Sequence, residues 1–127
     1  MMRNAFAAAL LLSACATSTP TPASLDGTSW TMLDVAGPTP TIAFADGGAS
    51  GFTGCNRWAA NVQRATAGAR VGLAAVTEMA CPGPAMDTEA RFLSILQQSP
   101  VAERRGDVLV LAGPNGDELA RFAPTPH

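Results

Sequence analysis

The chain has 127 residues, of which 47% are hydrophobic and 14% are charged, and its formal net charge is −2. This composition is typical of one small globular domain and excludes an intrinsically disordered chain. All basic residues are arginines, and they form no block or stripe along the sequence. We therefore expect no nucleic-acid partner.

The first 14 residues have the pattern of an export signal. Arg3 precedes an apolar run at residues 5–12, which is far shorter than the roughly 20 residues that a membrane-spanning helix needs. The string Leu12-Ser13-Ala14-Cys15 then resembles the lipobox of bacterial lipoproteins. We predict a signal peptide over residues 1–14 and lipid attachment at Cys15. The alternative is an ordinary signal peptide with an incidental cysteine.

Lipidation at Cys15 predicts a protein anchored to a membrane of the bacterial cell envelope by its acyl chains. Ala16 follows the lipid site, and the lack of Asp there favours the outer membrane, facing the periplasm, by the sorting rule of such lipoproteins. Residues 15–24 hold the anchor and a tether rich in Thr, Ser and Pro, which has no apolar periodicity. We expect the folded domain over residues 25–123 and a short tail over residues 124–127.

Most of the domain has the sequence pattern of short strands. Strands are predicted at residues 30–35, 41–44, 49–52, 71–76, 108–111 and 118–122. Two hairpins are predicted, one around Asp46-Gly47 and one around Asn115-Gly116, because these turn residues tolerate a positive φ angle. The continuous apolar run at residues 108–111 indicates a strand that is covered on both faces.

One segment, residues 86–97, has the period of a helix instead. Its predicted buried stripe comprises Met86, Ala90, Leu93 and Leu96, with Phe92 beside it. Pro84 is expected in the first turn, and Pro100 is expected to stop the helix. Asp87 and Glu89 are expected near the positive end of the helix dipole.

These elements predict a mainly β fold, namely a small antiparallel β-barrel or strongly curved sheet with one α-helix over one opening or face. A shared core that fills the interior is expected from large apolar residues of separate elements: Trp30, Phe44, Phe52, Leu73, Leu93, Leu96, Leu111 and Phe122. Met79 and Met86 are interpreted as residues that fill gaps in this core.

Cys55 and Cys81 are predicted to form a disulfide bond. Lipid attachment consumes Cys15, which leaves an even pair in an oxidising compartment, where such bonds persist. Two buried free thiols are the alternative.

The sequence gives little support for catalysis, and we expect no enzyme, no cofactor and no metal site. A Ser or Cys nucleophile needs a neighbouring base, but the only histidine is His127 at the chain end and there is no lysine. Zinc sites need clustered Cys and His ligands, which two thiols without histidine do not supply. Glu89 is the best candidate for a catalytic acid, but orienting the start of the helix is the simpler role.

Several strings together resemble the META domain of the HslJ type over about residues 25–123. They are Gly54-Cys55-Asn56-Arg57-Trp58, Thr77-Glu78-Met79-Ala80-Cys81, and the helix positions Met86, Glu89, Phe92-Leu93 and Leu96, with Leu25-x-Gly27-Thr28-x-Trp30 before them and Leu109-x-Leu111 after them. Ala60 and Val62 depart from the glycine and aromatic residue that similar sequences usually carry. The resemblance implies a lipocalin-like β-barrel, an envelope protein tied to heat shock and novobiocin resistance, and no established catalytic activity.

Asn56, Arg57 and Trp58 form the candidate binding surface, because Trp58 beside Arg57 could anchor a partner. Local turn formation by Asn56 and burial of Trp58 are the structural alternatives. Two functions fit the sequence. One is a noncatalytic, stress-related module that binds an envelope protein, a peptide or a small hydrophobic ligand, and the other is a structural docking domain of a larger envelope assembly.

Overall fold

The computed structural model describes residues 24–126. The predicted signal peptide, Cys15, the tether before Ser24, and His127 lie outside the described residues. Within residues 24–126, no helix combines the length and the apolar character that crossing a membrane requires.

This part of the chain forms nine strands and one helix. They are β1 (Ser29–Met32), β2 (Thr41–Ala45), β3 (Gly48–Phe52), β4 (Arg57–Ala65), β5 (Gly68–Val71), β6 (Ala75–Val76), α1 (Gly83–Leu96), β7 (Val101–Arg105), β8 (Val108–Ala112) and β9 (Glu118–Pro124). Both predicted hairpins are confirmed, as β2–β3 and β8–β9. At the first turn, Asp46 and Gly47 have φ angles of 53° and 75°, which is the backbone that an Asp-Gly pair favours.

Eight strands close an antiparallel barrel. Around the barrel they run β1, β2, β3, β4, β5, β7, β8 and β9, and β9 pairs with β1 again. β4 is the longest strand with nine residues, and it pairs with β3 along one edge and with β5 and then β6 along the other. The mainly β fold with one helix that the sequence predicts is therefore confirmed.

The prediction of a continuous strand at residues 71–76 is wrong, because the chain is irregular between the end of β5 at Val71 and the start of β6 at Ala75. Val71 pairs with Val62, and Ala75 pairs with Ala59. Residues 72–74 therefore lie opposite only two residues of β4, 60 and 61. Such a β-bulge leaves a residue unpaired and redirects the side chains around it. Leu73 lies in the bulge with 86% of its surface exposed, which overturns its predicted place in the core.

The barrel interior is filled by large apolar side chains. Of the predicted core residues, Trp30, Phe44, Leu96, Leu111 and Phe122 are buried, whereas Phe52 and Leu93 are only partly buried. The apolar run of β8 is confirmed as covered on both faces, since Leu109, Val110 and Leu111 are all fully buried.

Helix α1 lies near its predicted position but buries a different face. It starts at Gly83 and ends at Leu96, and its buried residues are Ala85, Glu89, Phe92, Ile95 and Leu96. Phe92 packs edge-on between Trp58 and Phe122, with ring centroids 5.6 and 6.4 Å away. Because this large ring enters the core, Met86 and Ala90 of the predicted stripe are exposed. The first turn contains no acidic residue, so the predicted dipole role of Asp87 and Glu89 is also wrong.

Candidate functional site

The loop between β3 and β4, residues 53–56, is held tightly at the helix-covered end of the barrel. The Thr53 hydroxyl accepts hydrogen bonds from the backbone N–H groups of Cys55 (3.1 Å) and Asn56 (2.8 Å). Gly54 has a φ angle of 108°, and a Cβ atom there would lie 2.9 Å from Cγ2 of Thr88. Glycine is therefore required at this position both by the backbone conformation and by the helix beside it.

Asn56 joins this loop to two distant parts of the chain. Its Nδ2 donates to Oε1 of Glu89 (2.8 Å) and to the backbone carbonyl of Met79 (3.2 Å). Its Oδ1 accepts from the backbone N–H of Met79 (2.6 Å) and from the Thr77 hydroxyl (3.0 Å). The backbone of Asn56 closes a local turn, since its carbonyl accepts a hydrogen bond of 2.8 Å from the N–H of Thr53. Its side chain does not satisfy backbone groups within that turn, as the sequence had suggested, because the side-chain partners are 21 to 33 residues away.

Cys55 and Cys81 form a disulfide bond with a Cα–Cα distance of 5.9 Å, which confirms the predicted pairing. Cys81 lies two residues before the start of α1. The bond therefore fastens the 53–56 loop to the segment that leads into the helix, beside the hydrogen bonds of Asn56.

Glu89 is a buried carboxylate within this network, with 6% of its surface exposed. Besides the bond from Asn56, its Oε1 accepts a hydrogen bond of 2.7 Å from the Thr53 hydroxyl. Glu89 lies in the middle of α1 and connects the helix to the 53–56 loop. It does not orient the start of the helix, as the sequence had suggested.

Two concave surfaces flank the chain segment from β6 to Ala80. The first, which we call the outer groove, has a volume of about 940 Å³ and lies on the outer face of β3, β4 and β6. Its lining includes Phe52, Arg57, Ala59, Ala75 and Met79. Met79 is 61% exposed, so its predicted role as a core residue is wrong, as is that of Met86.

The second surface, which we call the β6–α1 cleft, has a volume of about 410 Å³. It separates residues 76–80 from the helix and is lined on the helix side by Met86, Glu89 and Leu93. Asn56 also reaches this cleft. The hydrogen-bonded loop network thus lies directly beneath a surface that a partner can reach.

The predicted surface of Asn56, Arg57 and Trp58 is only partly exposed. Asn56 and Trp58 are 3% and 2% exposed, and Nε1 of Trp58 donates to the backbone carbonyl of Thr41 at 3.1 Å. Their polar groups are therefore satisfied inside the protein, and Arg57 alone presents its side chain to solvent. Burial of Trp58, the structural alternative, is confirmed.

Sequence reasoning missed Thr53 and Thr77, which complete the network around Asn56. Thr53 directly precedes the recognised string Gly54-Cys55-Asn56, and Thr77 begins the recognised string that ends at Cys81, but neither hydroxyl was given a role. A hydroxyl next to a predicted loop cysteine is a weak signal by itself. The hydrogen-bond partners become visible only when the barrel brings the two strings together.

Comparison with known proteins gives the family but no activity. No curated protein matches the chain. An NMR structure of a protein from Burkholderia xenovorans is 25% identical, with a TM-score of 0.64, over 81% of this chain and 85% of that one. A second NMR structure has a TM-score of 0.60 and covers 81% of this chain and 93% of its own, and at 17% identity it supports the fold alone. The META domain family model matches residues 23–126, and the chain therefore belongs to the META domain family.

Proposed function

We propose that this chain is a noncatalytic, stress-related, lipid-anchored protein of the bacterial cell envelope. Its META domain binds an extended segment of another envelope protein. The leader and Leu12-Ser13-Ala14-Cys15 support the anchor. Family membership supports the link to the envelope and to stress.

The observation that carries the binding role is the contrast between a filled interior and an apolar outer groove. Trp30, Phe92 and Phe122 occupy the barrel at 2% exposure or less, so a ligand inside the barrel would have to displace the core. Outside, the exposed Met79 side chain and the partly buried Phe52 line a groove of about 940 Å³. Exposed apolar surface of this kind is typical of interaction sites.

The chemistry of the described residues supports a noncatalytic role. A thiol nucleophile requires a free thiolate, and the Cys55 and Cys81 sulfurs are bonded to each other. A hydroxyl nucleophile requires a neighbouring base, and residues 24–126 include neither histidine nor lysine. Glu89, the best candidate acid, uses Oε1 to hold Thr53 and Asn56 in place.

Photocrosslinking in intact cells tests the binding role. A photoreactive amino acid replaces Ala75 on the groove side in the full-length chain, and replaces the exposed Gln63 near the far end of β4 as a control. We expect a discrete adduct from position 75 that position 63 does not give. Met79→Gln should weaken the adduct, whereas Leu73→Gln, at an exposed apolar residue that does not line the groove, should not. Equal adducts from both positions would contradict the proposal.

The filled interior also favours the second candidate, a structural docking domain of a larger envelope assembly. The two candidates differ in the lifetime of the complex. A structural domain should co-purify with its partner in a fixed ratio from unstressed cells, without crosslinking. A stress-related binding module should give the position-75 adduct mainly after heat shock, while most of the protein purifies alone.

A further inference from the structure

The edge of β6 that faces away from β4 has no strand beside it among the described residues. β7 pairs with β5 only as far as Val71, whose N–H donates to the carbonyl of Pro100 at 2.9 Å. After that point the chain passes to the bulge and to β6, which pairs with β4 alone. The ladder that closes the barrel elsewhere is therefore open along β6.

The backbone of this segment points alternately toward β4 and toward the β6–α1 cleft. The N–H of Thr77 donates to the carbonyl of Arg57 (3.0 Å), and the N–H of Met79 donates to Asn56. In an extended strand, neighbouring residues direct their backbone groups to opposite edges. Val76, the last residue of β6, thus directs its backbone groups to the other edge, and the bonds of Thr77 and Met79 continue the same alternation past β6 to Glu78. Residues 76–80 all line the cleft. A strand edge of this kind can accept an added peptide strand.

Glu89 supplies a second, independent feature of the cleft. The two hydrogen bonds from Thr53 and Asn56 both end on its Oε1, and no described residue donates to its Oε2. Within residues 24–126, no side-chain oxygen is both fully buried and without a partner, so Oε2 of this otherwise buried side chain reaches solvent through the cleft that it lines. A largely buried carboxylate with one oxygen still free to accept a hydrogen bond favours a charged donor.

The charge of the cleft selects the kind of peptide. Two carboxylates, Glu78 and Glu89, are among its lining residues, and no arginine is. The lining also includes the apolar side chains of Val76, Met86 and Leu93. An extended segment that alternates apolar and basic residues is complementary to this surface, whereas an acidic segment is repelled.

We propose that the β6–α1 cleft binds an extended peptide as an additional strand on β6. A Lys or Arg side chain of that peptide pairs with Oε2 of Glu89, and an apolar side chain lies against Met86 and Leu93. This inference rests on the proposed binding function and names the chemistry of its partner. Backbone hydrogen bonds supply the general affinity, and the buried carboxylate supplies the selectivity for a basic residue.

Titration of the purified full chain with three synthetic peptides tests this inference. The first is a capped hexapeptide that alternates Val and Lys, the second replaces each Lys by Glu, and the third replaces the central Val by Pro. We expect saturable binding of the first, a loss of at least about tenfold for the second because a charge-assisted bond is lost, and a similar loss for the third because Pro lacks an N–H. Hydrogen exchange of the Val76 and Glu78 amides should slow when the first peptide binds.

Variants of the protein locate the binding site. Glu89→Gln should reduce the affinity for the Lys peptide by about tenfold or more, with hydrogen exchange elsewhere unchanged. Because Glu89 also holds the 53–56 loop, Glu78→Gln at an exposed position provides a second variant and should cause a smaller loss. Asp107→Asn, in the exposed turn between β7 and β8 at the other end of the barrel, should change nothing.

Any one of four results would overturn the inference. One is equal binding of the Lys and Glu peptides, and another is full affinity in both Glu89→Gln and Glu78→Gln. Binding of free arginine as tight as that of the peptide would indicate a small-cation site and would equally overturn strand addition. If the titration fails while the position-75 adduct persists, the cleft is not the binding site and the proposed function stands.

Discussion

At the scale of single residues, Asn56 shows how one side chain can organise a site. Its amide uses both donor and acceptor groups to connect the 53–56 loop, the segment before α1 and the helix itself. A buried polar side chain of this kind stabilises the fold only while all its partners are present. The same residue therefore fixes both the position of Glu89 and the shape of residues 77–79.

Asn56→Ala should lower the free energy of unfolding by about 2–4 kcal/mol, because it leaves the backbone of Met79 without its Asn56 partners and the buried Glu89 with Thr53 alone. Urea unfolding of the purified protein measures this loss. Asn61→Ala, at an exposed position of β4, is the matched control and should change stability by less than about 0.5 kcal/mol. A similar value for both variants would show that the network contributes little.

At the scale of elements, helix α1 is held by Phe92 more than by the face that its sequence suggests. Phe92→Ala should cost about 3–5 kcal/mol, since it empties the space between Trp58 and Phe122. Leu93→Ala should cost clearly less, because Leu93 is only partly buried at the rim of the cleft. Urea unfolding compares the two variants, and the reverse order would mean that the helix packs through the face predicted from sequence.

The disulfide bond acts on the connection between loop and helix. Cys55 and Cys81 are 26 residues apart, and a closed loop of that size stabilises a protein by roughly 3–4 kcal/mol in the chain-entropy model. We expect no reactive thiol from this pair in denatured, unreduced protein, and a lower urea midpoint after reduction. Two reactive thiols would contradict the bond. The double variant Cys55→Ala/Cys81→Ala, insensitive to reductant, is the control.

The elements that sequence reasoning found are those with strong local signals. The β2–β3 and β8–β9 hairpins combine large apolar residues with Asp-Gly or Asn-Gly turns, and both are present. β7 was missed because three of its five residues are charged, so it has no apolar alternation to recognise. β4 was also missed. Its inward face carries small or polar residues after Trp58, such as Ala60, and these weaken the alternation of apolar and polar residues that marks a strand.

The candidate site was predictable only in part, for a related reason. The cysteine pairing follows from counting, and the strings around Cys55 and Cys81 were recognised as a set. The roles of Asn56 and Glu89 depend on contacts between residues 33 positions apart, and no local pattern encodes such a contact. The buried face of α1 was predicted incorrectly because it contains Glu89. A glutamate is normally exposed, so a hydrophobic pattern assigns it to the solvent side of the helix.

At the scale of the whole molecule, the barrel separates the first described residue from the candidate site. Ser24 lies by a pocket that Gly47 and Gly68, next to the β2–β3 and β4–β5 turns, also line. The 53–56 loop and the helix lie at the other end, where β3 passes to β4. Ser24, where the described chain begins, and the candidate site therefore lie at opposite ends of the barrel.

Cys15→Ser tests the anchor itself. Without the thiol no acyl chain can be attached, so the variant should leave the membrane fraction and lose a lipid-sized mass increment. Cell fractionation and intact-mass measurement follow both changes, and Ser13→Ala, which leaves the thiol in place, serves as the control. A Cys15→Ser protein that still sediments with membranes and carries the added mass would rule out lipidation there.

The pairing of β1 with β9 has a consequence for the timing of folding. The strand nearest the start of the domain finds its second neighbour only in the strand nearest its end, since Trp30 pairs with Pro124. A chain threaded through a translocation channel from its N-terminus cannot complete this barrel until residue 124 has emerged. Contacts so distant in sequence also form slowly. An exported chain with this topology would therefore complete its fold only after export is finished. A fragment that stops before β9 has unpaired edges on β1 and β8, on which aggregation or proteolysis can begin.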